Sequence, residues 1–350
     1  MSDQPELMVT NMHRNFTGVS ATAAAVARQQ ATRYAMRIVG RALTGCPAPV
    51  SVRQAFRLSR TPADGRPFVL WHVRRNNEMR AAIWARDVLK LPVRTVFTSA
   101  AQRRHSAFPR WLIARMDAVI ATTQEAAALV PNVHSVVHHG VDTERFHPAA
   151  DRDAAWRDTG YPGRFGIATI GRIRPEKGTD VFVDAMIKLL PDFPDAAALV
   201  IGKATPQHRG FAAELRQRVE AAGLSQRIVF TGELAADHLP ALVRSLSLLI
   251  APPRYEGYGM TPLEAMASAV PIVASDTGFF SAFIGEDRAG TVVHAADADR
   301  VASAARDLMQ NPMELALKAG NARHRAEELF GIGSEVEGIH KVYEAVWGAG

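Results

Sequence analysis

The feature that most constrains the fold of this chain is a repeated alternation of short apolar runs with longer amphipathic segments. A short apolar run between turn formers is typical of a buried strand, and a longer amphipathic segment is typical of a helix. Strands that alternate with helices predict βαβ units and parallel sheets, an α/β fold. The predicted strands are 68–72, 94–98, 118–121, 135–138, 165–170, 197–201, 228–231, 247–251, 272–274 and 291–293. The predicted helices are 19–34, 77–90, 110–115, 179–190, 211–222, 237–245, 262–269, 299–310 and 321–330.

A stretch rich in turn formers at 142–165 indicates a domain boundary, because a strand follows it at once. The length of 350 residues also suits about two domains. Ligands of open α/β sheets bind beyond the carboxyl ends of the strands, so the loops after the strands are candidate sites. We predict Rossmann-like domains over 1–150 and 151–330, with a helix at 331–350 that packs back on the first.

Cysteine content and hydropathy limit the class of protein. One cysteine, Cys46, excludes a disulfide framework and a cysteine-rich zinc module. The N-terminus carries Asp3 and Glu6 and lacks a basic segment followed by an apolar one, so no secretory signal is expected. No run approaches the ~18–20 apolar residues that a spanning helix needs. We therefore predict a cytoplasmic protein that can lie peripherally on the inner face of the cytoplasmic membrane.

Charge is distributed unevenly along the chain. Residues 1–150 hold 20 Lys and Arg against 9 Asp and Glu, a net charge of +11, whereas residues 151–350 carry a net charge of −5. A basic half beside an acidic half indicates an anionic partner for the first half, such as phosphorylated lipid, nucleic acid or an acidic sugar. The alternative is arginine on ordinary solvated faces, since only 6 of the 41 basic residues are Lys.

The strongest motif runs from Glu256 to Glu264, after an apolar strand and two prolines. Gly257 and Gly259 allow a tight loop with close backbone approach. Pro262 suits the first turn of a helix, and the free N–H groups and dipole of a helix N-terminus attract anions. The two carboxylates can accept hydrogen bonds from the hydroxyl pairs of a sugar and a ribose.

Both carboxylates also have a structural interpretation. Thr261 followed by Glu264 matches a capping box, in which Glu264 only closes the start of the helix. Glu256 has the alternative of an ordinary solvated loop residue. The sequence pattern leaves these alternatives open.

A second motif follows the strand 165–170 and contains Gly171, Arg172, Lys177 and Gly178. Glycines, an Arg and a Lys at the end of a strand suit a diphosphate. The segment is neither a Walker A loop nor Gly-x-Gly-x-x-Gly. A solvated basic turn is the alternative.

Polar clusters also follow two segments of the first half. His72 ends a strand and is a candidate hydrogen-bonding or acid–base group, with a buried structural histidine as the alternative. Arg74 and Arg75 add charge suited to an anionic acceptor. A turn that ends at Gly18 opens a helix and can bring backbone amides to a ligand, or it is a plain turn.

A metal site is not expected. His138 and His139 are neighbours on an extended chain, so their side chains point to opposite sides. No matching carboxylate or cysteine spacing follows them. Hydrolase chemistry is not supported either, because Ser106, Ser268 and Ser281 lack a nucleophile-elbow context.

Three segments together resemble glycosyltransferase family 4: 256–264, 171–178 and 139–146, in the order of the family. The resemblance covers most of the chain and is strongest from 135 to 280. It implies the GT-B fold, two Rossmann-like domains with parallel sheets facing across a cleft. The N-terminal domain would bind the acceptor and the C-terminal domain the nucleotide sugar.

The resemblance also implies a role for individual residues. The implied catalytic residues are His72 beside the reacting sugar, Arg172 and Lys177 at the diphosphate, and Glu256 at the donor sugar hydroxyls. The implied donor-binding residues are Gly18, Gly171, Gly202, Lys203, Gly232, Tyr258, Gly259, Met260, Thr261 and Glu264. Of these, Glu264 would hold the ribose, and the strand-end residues Gly202, Lys203 and Gly232 would lie near the base. The implied acceptor-binding residues are Arg74, Arg75, Arg103 and Arg104.

A narrower resemblance is carried by 71–79, 97–106 and 110–122, which look like the bacterial lipopolysaccharide core mannosyltransferases of Rhizobium type. It implies a retaining, metal-independent hexosyltransferase that moves mannose from GDP-mannose to a Kdo-bearing lipid A precursor. The implied partners are the nucleotide-sugar donor, an anionic lipid-linked Kdo acceptor and the cytoplasmic membrane surface, with no cofactor and no nucleic acid.

Alternatives remain open for the reaction. A family 4 transferase that uses UDP-glucose or UDP-galactose and another glycan acceptor fits the same spacing. A GT-B-type nucleotide-sugar 2-epimerase shares the fold and differs in the residue set. A nucleic-acid-binding protein would use the basic half, but the chain has no aromatic-interleaved basic strand or recognised module.

Overall fold

The computed structural model describes residues 4–14, 18–286, 288–294 and 297–349. The chain divides into unit 1, Met1–Gly140 with Ile332–Gly350, and unit 2, Val141–Gly331. Among the described residues, every helix is too short or too polar to span a bilayer.

Strands and helices alternate along most of the described chain. The strands are β1 (Leu7–Asn11), β2 (Met36–Gly40), β3 (Pro49–Val50), β4 (Val69–Val73), β5 (Val93–Ser99), β6 (Ala118–Ala121), β7 (Val133–Val136), β8 (Phe165–Ile170), β9 (Ala196–Ile201), β10 (Ile228–Gly232), β11 (Leu248–Ala251), β12 (Ile272–Ser275) and β13 (Gly290–Val293). The helices are α1 (Gly18–Gln30), α2 (Val52–Leu58), α3 (Asn76–Ile83), α4 (Ala107–Ile113), α5 (Gln124–Ala127), α6 (Arg152–Asp158), α7 (Thr179–Leu189), α8 (Arg209–Ala221), α9 (Leu239–Ser245), α10 (Met260–Ala267), α11 (Phe280–Ile284), α12 (Ala298–Gln310), α13 (Pro312–Phe330) and α14 (Ile332–Gly348).

The described strands of unit 1 form one parallel sheet in the order β3-β2-β1-β4-β5-β6-β7. Successive side chains of β4 enter different cores: Leu70 packs with α1 and α14, whereas Val69 and Trp71 pack with α3 and α4. Helices therefore cover both faces, which is the condition under which a parallel sheet is stable. The strand order reverses between β1 and β4.

The helix α14 belongs to unit 1 although it lies at the end of the chain. It packs against α1 and buries Tyr343 and Trp347 in the core. The indole N–H of Trp347 donates to the carbonyl of Phe68 over 3.2 Å. The Tyr343 hydroxyl accepts from the Gln30 amide over 3.1 Å and contacts the His72 ring.

Replacement of Tyr343 by Phe should lower the free energy of unfolding by about 1–3 kcal/mol, because the ring stays packed while buried polar partners lose their hydrogen bond. Urea unfolding followed by circular dichroism measures the change. Tyr255→Phe, at an exposed tyrosine of unit 2, is the matched control. Equal unfolding midpoints for the Tyr343 variant and the wild type would contradict the expectation.

The described strands of unit 2 form a second parallel sheet in the order β10-β9-β8-β11-β12-β13. Neighbouring residues of β9 alternate between its two cores, with Leu199 in one and Val200 in the other. The strand order reverses between β8 and β11. Each unit thus has the doubly wound arrangement of a Rossmann-like domain, as predicted.

The division between the units comes at Gly140 and Val141 rather than at 150. Val141 already forms a bridge with Gly331, and its N–H donates to Phe330 over 2.8 Å. Phe146 is buried in a unit 2 core. The turn formers after 147 therefore lie inside unit 2.

Several elements differ from the predicted ones. The predicted set omits β1, β2, β3, α2, α5, α6 and α11, and α13 begins at Pro312 rather than at 321. The Asn311 side chain caps α13 by accepting from the Glu314 N–H over 3.2 Å, and a proline occupies the first helical position. The Asn–Pro pair was thus the local signal for this helix start.

Candidate active site

The candidate site lies at the reversal point of the unit 2 sheet, where one loop follows β8 and another follows β11. Carboxyl ends of parallel strands meet at one edge of a sheet, and a reversal of strand order opens a crevice there. The two strongest sequence motifs occupy these two loops. The sheet topology therefore brings them together across about 80 residues of sequence.

The loop after β8 turns sharply into α7. Residues Pro175–Lys177 form a 3₁₀ turn, and Gly178 has a φ of +65°. A Cβ at Gly178 would lie 1.8 Å from the carbonyl oxygen of Pro252, so the two loops approach too closely for a side chain. Arg172 is exposed at the strand end, and Lys177 is partly buried.

The loop after β11 leads into α10. The helix begins at Met260, with Gly259 as its N-cap at a φ of +84° and no side-chain cap. The capping-box interpretation of Glu264 is therefore wrong, because Thr261 lies within the first turn instead of before it. Backbone N–H groups of the first turn remain available for a ligand.

An ion pair between Arg254 and Asp180 joins the two loops. The guanidinium donates to both carboxylate oxygens over 2.8 and 2.7 Å and to the Pro175 carbonyl over 2.6 Å. Burial raises the pKa of Asp180, but the hydrogen bond and charge of Arg254 outweigh it, so the net shift is downward. This bidentate contact fixes the spacing of the loops.

These loops line a pocket of about 370 Å³ that is open to solvent. Its lining residues are Thr169, Ile170, Gly171, Arg172, Lys177, Thr179, Val200, Ala251, Pro253, Glu256, Thr261 and Phe280. Predicted donor-binding and catalytic residues from both motifs thus share one pocket. Thr169, Pro253 and Phe280 were not predicted, because nothing in their local sequence distinguishes them from core or turn residues.

Lys177 and Glu256 form an ion pair inside this pocket. The Glu256 carboxylate also accepts the N–H of Gly257 over 3.0 Å. Both side chains are largely shielded from solvent, so their interaction is screened less than that of a surface pair. The pair places a cation and a carboxylate side by side, which suits a ligand that carries both phosphate and hydroxyl groups.

Glu264 lies one turn into α10 and is partly buried. Burial raises the pKa of its carboxyl to about 7, and the positive charge of Arg145 acts in the opposite direction. The Arg145 guanidinium is held by the carbonyl of Ala236 at 2.7 Å and by Asp237 at 3.2 Å. This role for Arg145 was not predicted from the sequence. The residue lies in the segment 139–146, to which no chemistry was assigned.

The predicted base-side residues lie at the ends of the neighbouring strands. Gly202 donates its N–H to the carbonyl of Gly232 over 2.8 Å, and Gly171 donates to Ile201 over 2.9 Å. A Cβ at Gly202 would lie 1.9 Å from the Gly171 carbonyl oxygen. Lys203 forms an exposed ion pair with Glu233.

Tyr258 and Met260 contribute to the core through their side chains. The Tyr258 ring is buried and stacks on Phe279 with centroids 5.2 Å apart, and Met260 packs against the same cluster. Their predicted contact with a donor is thus a backbone contact.

In unit 1, His72 is fully buried in β4. One ring nitrogen contacts the Tyr343 hydroxyl, and Nε2 lies 2.7 Å from Thr98 Oγ1. Burial and the nearby charge of Arg74 lower the pKa of His72 well below its usual value, so the ring is neutral. A role at the reacting sugar requires this ring to give up one of its two hydrogen bonds.

Arg74 and Arg75 follow β4 at the reversal point of the unit 1 sheet. Arg75 is used within the fold: it donates to buried Glu78 over 3.1 Å and to Ser20 over 3.0 Å. Arg74 Nη1 is buried and has no hydrogen-bond partner among the described residues. Burial lowers the pKa of Arg74, partly offset by Tyr343 and other acidic groups.

The remaining predicted residues of unit 1 also lie at carboxyl ends of strands. Arg103 and Arg104 are exposed in the loop after β5, the neighbour of β4 in the sheet. Gly18 is the first residue of α1, and the predicted turn before it, at 15–17, lies outside the described residues. A Cβ at Gly18 would meet nothing within 4 Å, so no local clash demands glycine there.

The adjacent histidines have separate partners. His139 Nδ1 lies 2.8 Å from buried Glu335, which also accepts the Gly140 N–H over 2.8 Å, and His138 Nδ1 lies 2.8 Å from the Thr122 carbonyl. Within the described ranges, no group of three or more His, Cys, Asp or Glu side chains could hold a metal ion. Glu335 was not predicted, since nearly 200 residues separate it from His139.

Two Rossmann-like units with parallel sheets define the GT-B class of fold. The model of the family described as Glycosyl transferases group 1 matches residues 157–326. The lipopolysaccharide core biosynthesis mannosyltransferase LpsB of Rhizobium meliloti is 41% identical over 345 residues, 97% of each chain. The corresponding enzyme LpcC of Rhizobium leguminosarum is 40% identical, over 98% of this chain and 97% of that one.

The chain therefore belongs to the group 1 glycosyltransferases, and the predicted family resemblance is confirmed. The crystal structure of Anabaena Alr3699/HepE in complex with UDP and glucose has the same fold. Its TM-score is 0.81 at 17% identity, covering 98% of this chain and 100% of that one.

Proposed function

We propose that this glycosyltransferase moves mannose from GDP-mannose to a Kdo-bearing lipid A precursor, with retention of configuration, in lipopolysaccharide core biosynthesis. The observation that carries the proposal is the 41% identity to LpsB of Rhizobium meliloti over 97% of both chains. The name of that relative specifies a mannosyltransferase of lipopolysaccharide core biosynthesis. The pocket geometry supports a phosphorylated sugar donor independently of that name.

The donor would bind in the unit 2 pocket. Arg172 and Lys177 would neutralise the diphosphate, together with the N-terminus of α10. Glu256 would accept hydrogen bonds from the mannose hydroxyls and Glu264 from the ribose hydroxyls. The base would lie beside the strand ends at Gly202 and Gly232. The donor is a substrate, and the reaction as proposed needs no cofactor or metal ion.

The transfer makes one bond and breaks another at the anomeric carbon. The acceptor hydroxyl oxygen attacks that carbon on the face from which GDP departs, and the bond to the phosphate oxygen breaks. The hydroxyl proton passes to the departing phosphate. The pocket cations stabilise the charge that develops on GDP, which is the interaction that lowers the barrier.

Arginines at the carboxyl ends of β4 and β5 would bind the acceptor. Arg74 is the best placed, because its buried Nη1 has no partner among the described residues. A carboxylate such as that of Kdo pairs with a guanidinium through two hydrogen bonds. Arg75, Arg103 and Arg104 would add to the positive field. A lipid-linked acceptor places the enzyme on the inner face of the cytoplasmic membrane.

The deciding experiment offers radiolabelled GDP-mannose, UDP-glucose and UDP-galactose to the purified protein with a Kdo-lipid A precursor, with and without EDTA. We expect label from GDP-mannose in the lipid, at a rate that EDTA does not change, and an α-anomer by NMR. Transfer from a UDP-sugar would overturn the donor assignment. Loss of transfer in EDTA would overturn metal independence, and a 2-epimer formed without acceptor would overturn the reaction class.

Affinity for GDP-mannose should fall as the pH drops through about 7. Burial raises the pKa of Glu264 to about 7, and only the ionised form accepts hydrogen bonds with both oxygens. Below pH 7, each further drop of one pH unit should weaken the binding of GDP-mannose up to about tenfold, because the Glu264 carboxyl must first lose a proton. Calorimetric titration with GDP-mannose measures this, since its doubly esterified diphosphate keeps a constant charge. Glu264→Gln should bind more weakly at high pH, with a flat profile, and a wild-type slope in that variant would refute the assignment.

A further inference from the structure

Unit 1 exposes a patch of large apolar side chains on the outer surface of two neighbouring helices. We give the name aromatic patch to Trp84, Val88, Leu89, Phe108 and Trp111, which are each between 43% and 54% exposed on segments that pack against the same core. Soluble proteins seldom leave several large aromatic and aliphatic side chains in contact with water at one place. The patch therefore indicates an interaction surface that the donor and acceptor sites do not use.

The backbone around the patch explains how it is displayed. After α3 the chain forms a π-helical turn, Trp84–Val88, in which the Leu89 N–H donates to the Trp84 carbonyl over 3.0 Å. Within this turn Ala85 is buried, while Trp84 and Val88 point to solvent. Single π-helical turns are rare and often mark functional sites.

The second half of the patch lies on α4. The Phe108 and Trp111 rings stack with centroids 6.2 Å apart, and the Arg115 guanidinium lies 4.4 Å from the Trp111 ring centroid. The helix α4 packs against α3, and both bury side chains in the same core, Met79 and Leu112 among them. The exposed faces of both helices are thus on the same side of the sheet.

The segment of the chain that carries the patch is rich in positive charge. Residues 77–116 hold eight Lys and Arg against two Asp and Glu. Of the two acids, Glu78 is buried and Asp87 is paired with Arg86 at 2.8 Å. The exposed cations of this segment, here called the basic rim, are Arg80, Lys90, Arg94, Arg103, Arg104, Arg110 and Arg115. Of these, Arg94 is paired with Asp117 at 3.0 Å.

We infer that the aromatic patch docks unit 1 on a bilayer that contains anionic lipid, with Trp84, Phe108 and Trp111 inserted at the level of the headgroups. Tryptophan beside arginine is the composition of protein surfaces that lie in the membrane interface. The basic rim complements anionic headgroups and attracts the protein to the surface. The proposed function supplies the reason for this docking, because a lipid-linked acceptor lies in the membrane.

Charge argues against a second copy of the chain as the occupant. A symmetric dimer through this patch would bring two identical basic rims together, and like charges in an interface are unfavourable. A lipid surface supplies the opposite charge. The aromatic patch thus fits an anionic lipid surface better than a second copy of the chain.

Flotation with vesicles tests the inference without donor or acceptor. The wild type should float with vesicles of phosphatidylcholine and phosphatidylglycerol. Trp84→Ser with Trp111→Ser should lower the bound fraction about tenfold, because both indoles lose their apolar contact. Arg110→Ser with Arg115→Ser should lower binding to the mixed vesicles and leave binding to phosphatidylcholine alone unchanged. The matched control is Met313→Ser with Leu317→Ser, which removes two exposed apolar side chains from unit 2.

Several outcomes would overturn the inference: a wild type that fails to float, tryptophan variants that float like the wild type, or a control that loses binding equally. Loss of a dimer in sedimentation, rather than loss of lipid binding, would assign the patch to a second copy. Thermal unfolding verifies that each variant is folded. Transfer to a deacylated, water-soluble acceptor, measured separately, should be unchanged in the tryptophan variants. Failure of transfer with intact flotation would refute the proposed function and leave the docking surface standing.

Discussion

Replacement of Lys177 by Ala should lower kcat by about 10²–10³-fold, which corresponds to about 2.7–4 kcal/mol of transition-state stabilisation. The ammonium lies in the pocket beside Glu256 and would neutralise the charge that develops on the departing diphosphate. Its loss also leaves the Glu256 carboxylate without a counter-charge next to the phosphates. Initial rates at saturating GDP-mannose measure kcat, and titration with GDP measures the accompanying loss of affinity.

Lys188→Ala is the matched control for this experiment. Lys188 lies at the other end of α7, outside the pocket, and pairs with Asp299 at 2.5 Å on the surface. Its replacement should leave kcat unchanged, because an exposed ion pair contributes little. An equal kcat for the Lys177 variant and the wild type would show that leaving-group stabilisation comes from elsewhere.

Replacement of Glu256 by Gln should lower kcat/KM by about 10²-fold, while GDP binds at least as tightly as before. A carboxylate accepts stronger hydrogen bonds from sugar hydroxyls than an amide does, and the difference accounts for about 2–3 kcal/mol. GDP lacks the sugar, and the variant removes a negative charge from the neighbourhood of its phosphates. Steady-state rates with GDP-mannose and calorimetry with GDP separate the two effects.

Glu176→Gln serves as the control, since Glu176 is an exposed carboxylate in the neighbouring loop and should change neither quantity. A parallel loss of GDP affinity in the Glu256 variant would mean that this carboxylate holds the loop rather than the sugar. The double variant with Lys177→Ala distinguishes these cases further. Strong non-additivity would confirm that the two side chains act as one pair.

The predicted site residues differ in how far local sequence could locate them. The loops after β8 and β11 were recognisable because a buried strand, glycines and a helix start occur in immediate succession. His72 was recognisable as a strand-end histidine, but its burial against Tyr343 was not, because Tyr343 enters unit 1 from the last helix of the chain. The Arg254 to Asp180 pair was likewise hidden, since 74 residues separate its members.

The capping-box pattern is a case in which local sequence predicted a contact that the fold does not form. Thr261 and Glu264 have the right spacing, but Gly259 starts the helix because its positive φ and the close approach of Phe280 leave no room for a side chain there. A local rule gave the wrong helix start because a tertiary contact selected the earlier one.

The sequence by itself determined two parallel α/β halves and the chemical character of the loops at their strand ends. Periodicity and turn formers act over a few residues, so these features are encoded locally. Only the tertiary structure decided that Lys177 pairs with Glu256, that burial raises the pKa of Glu264 to about 7, and that Tyr343 of the last helix contacts His72. Those properties depend on which distant segments pack together and exclude water. A local sequence pattern does not specify such contacts.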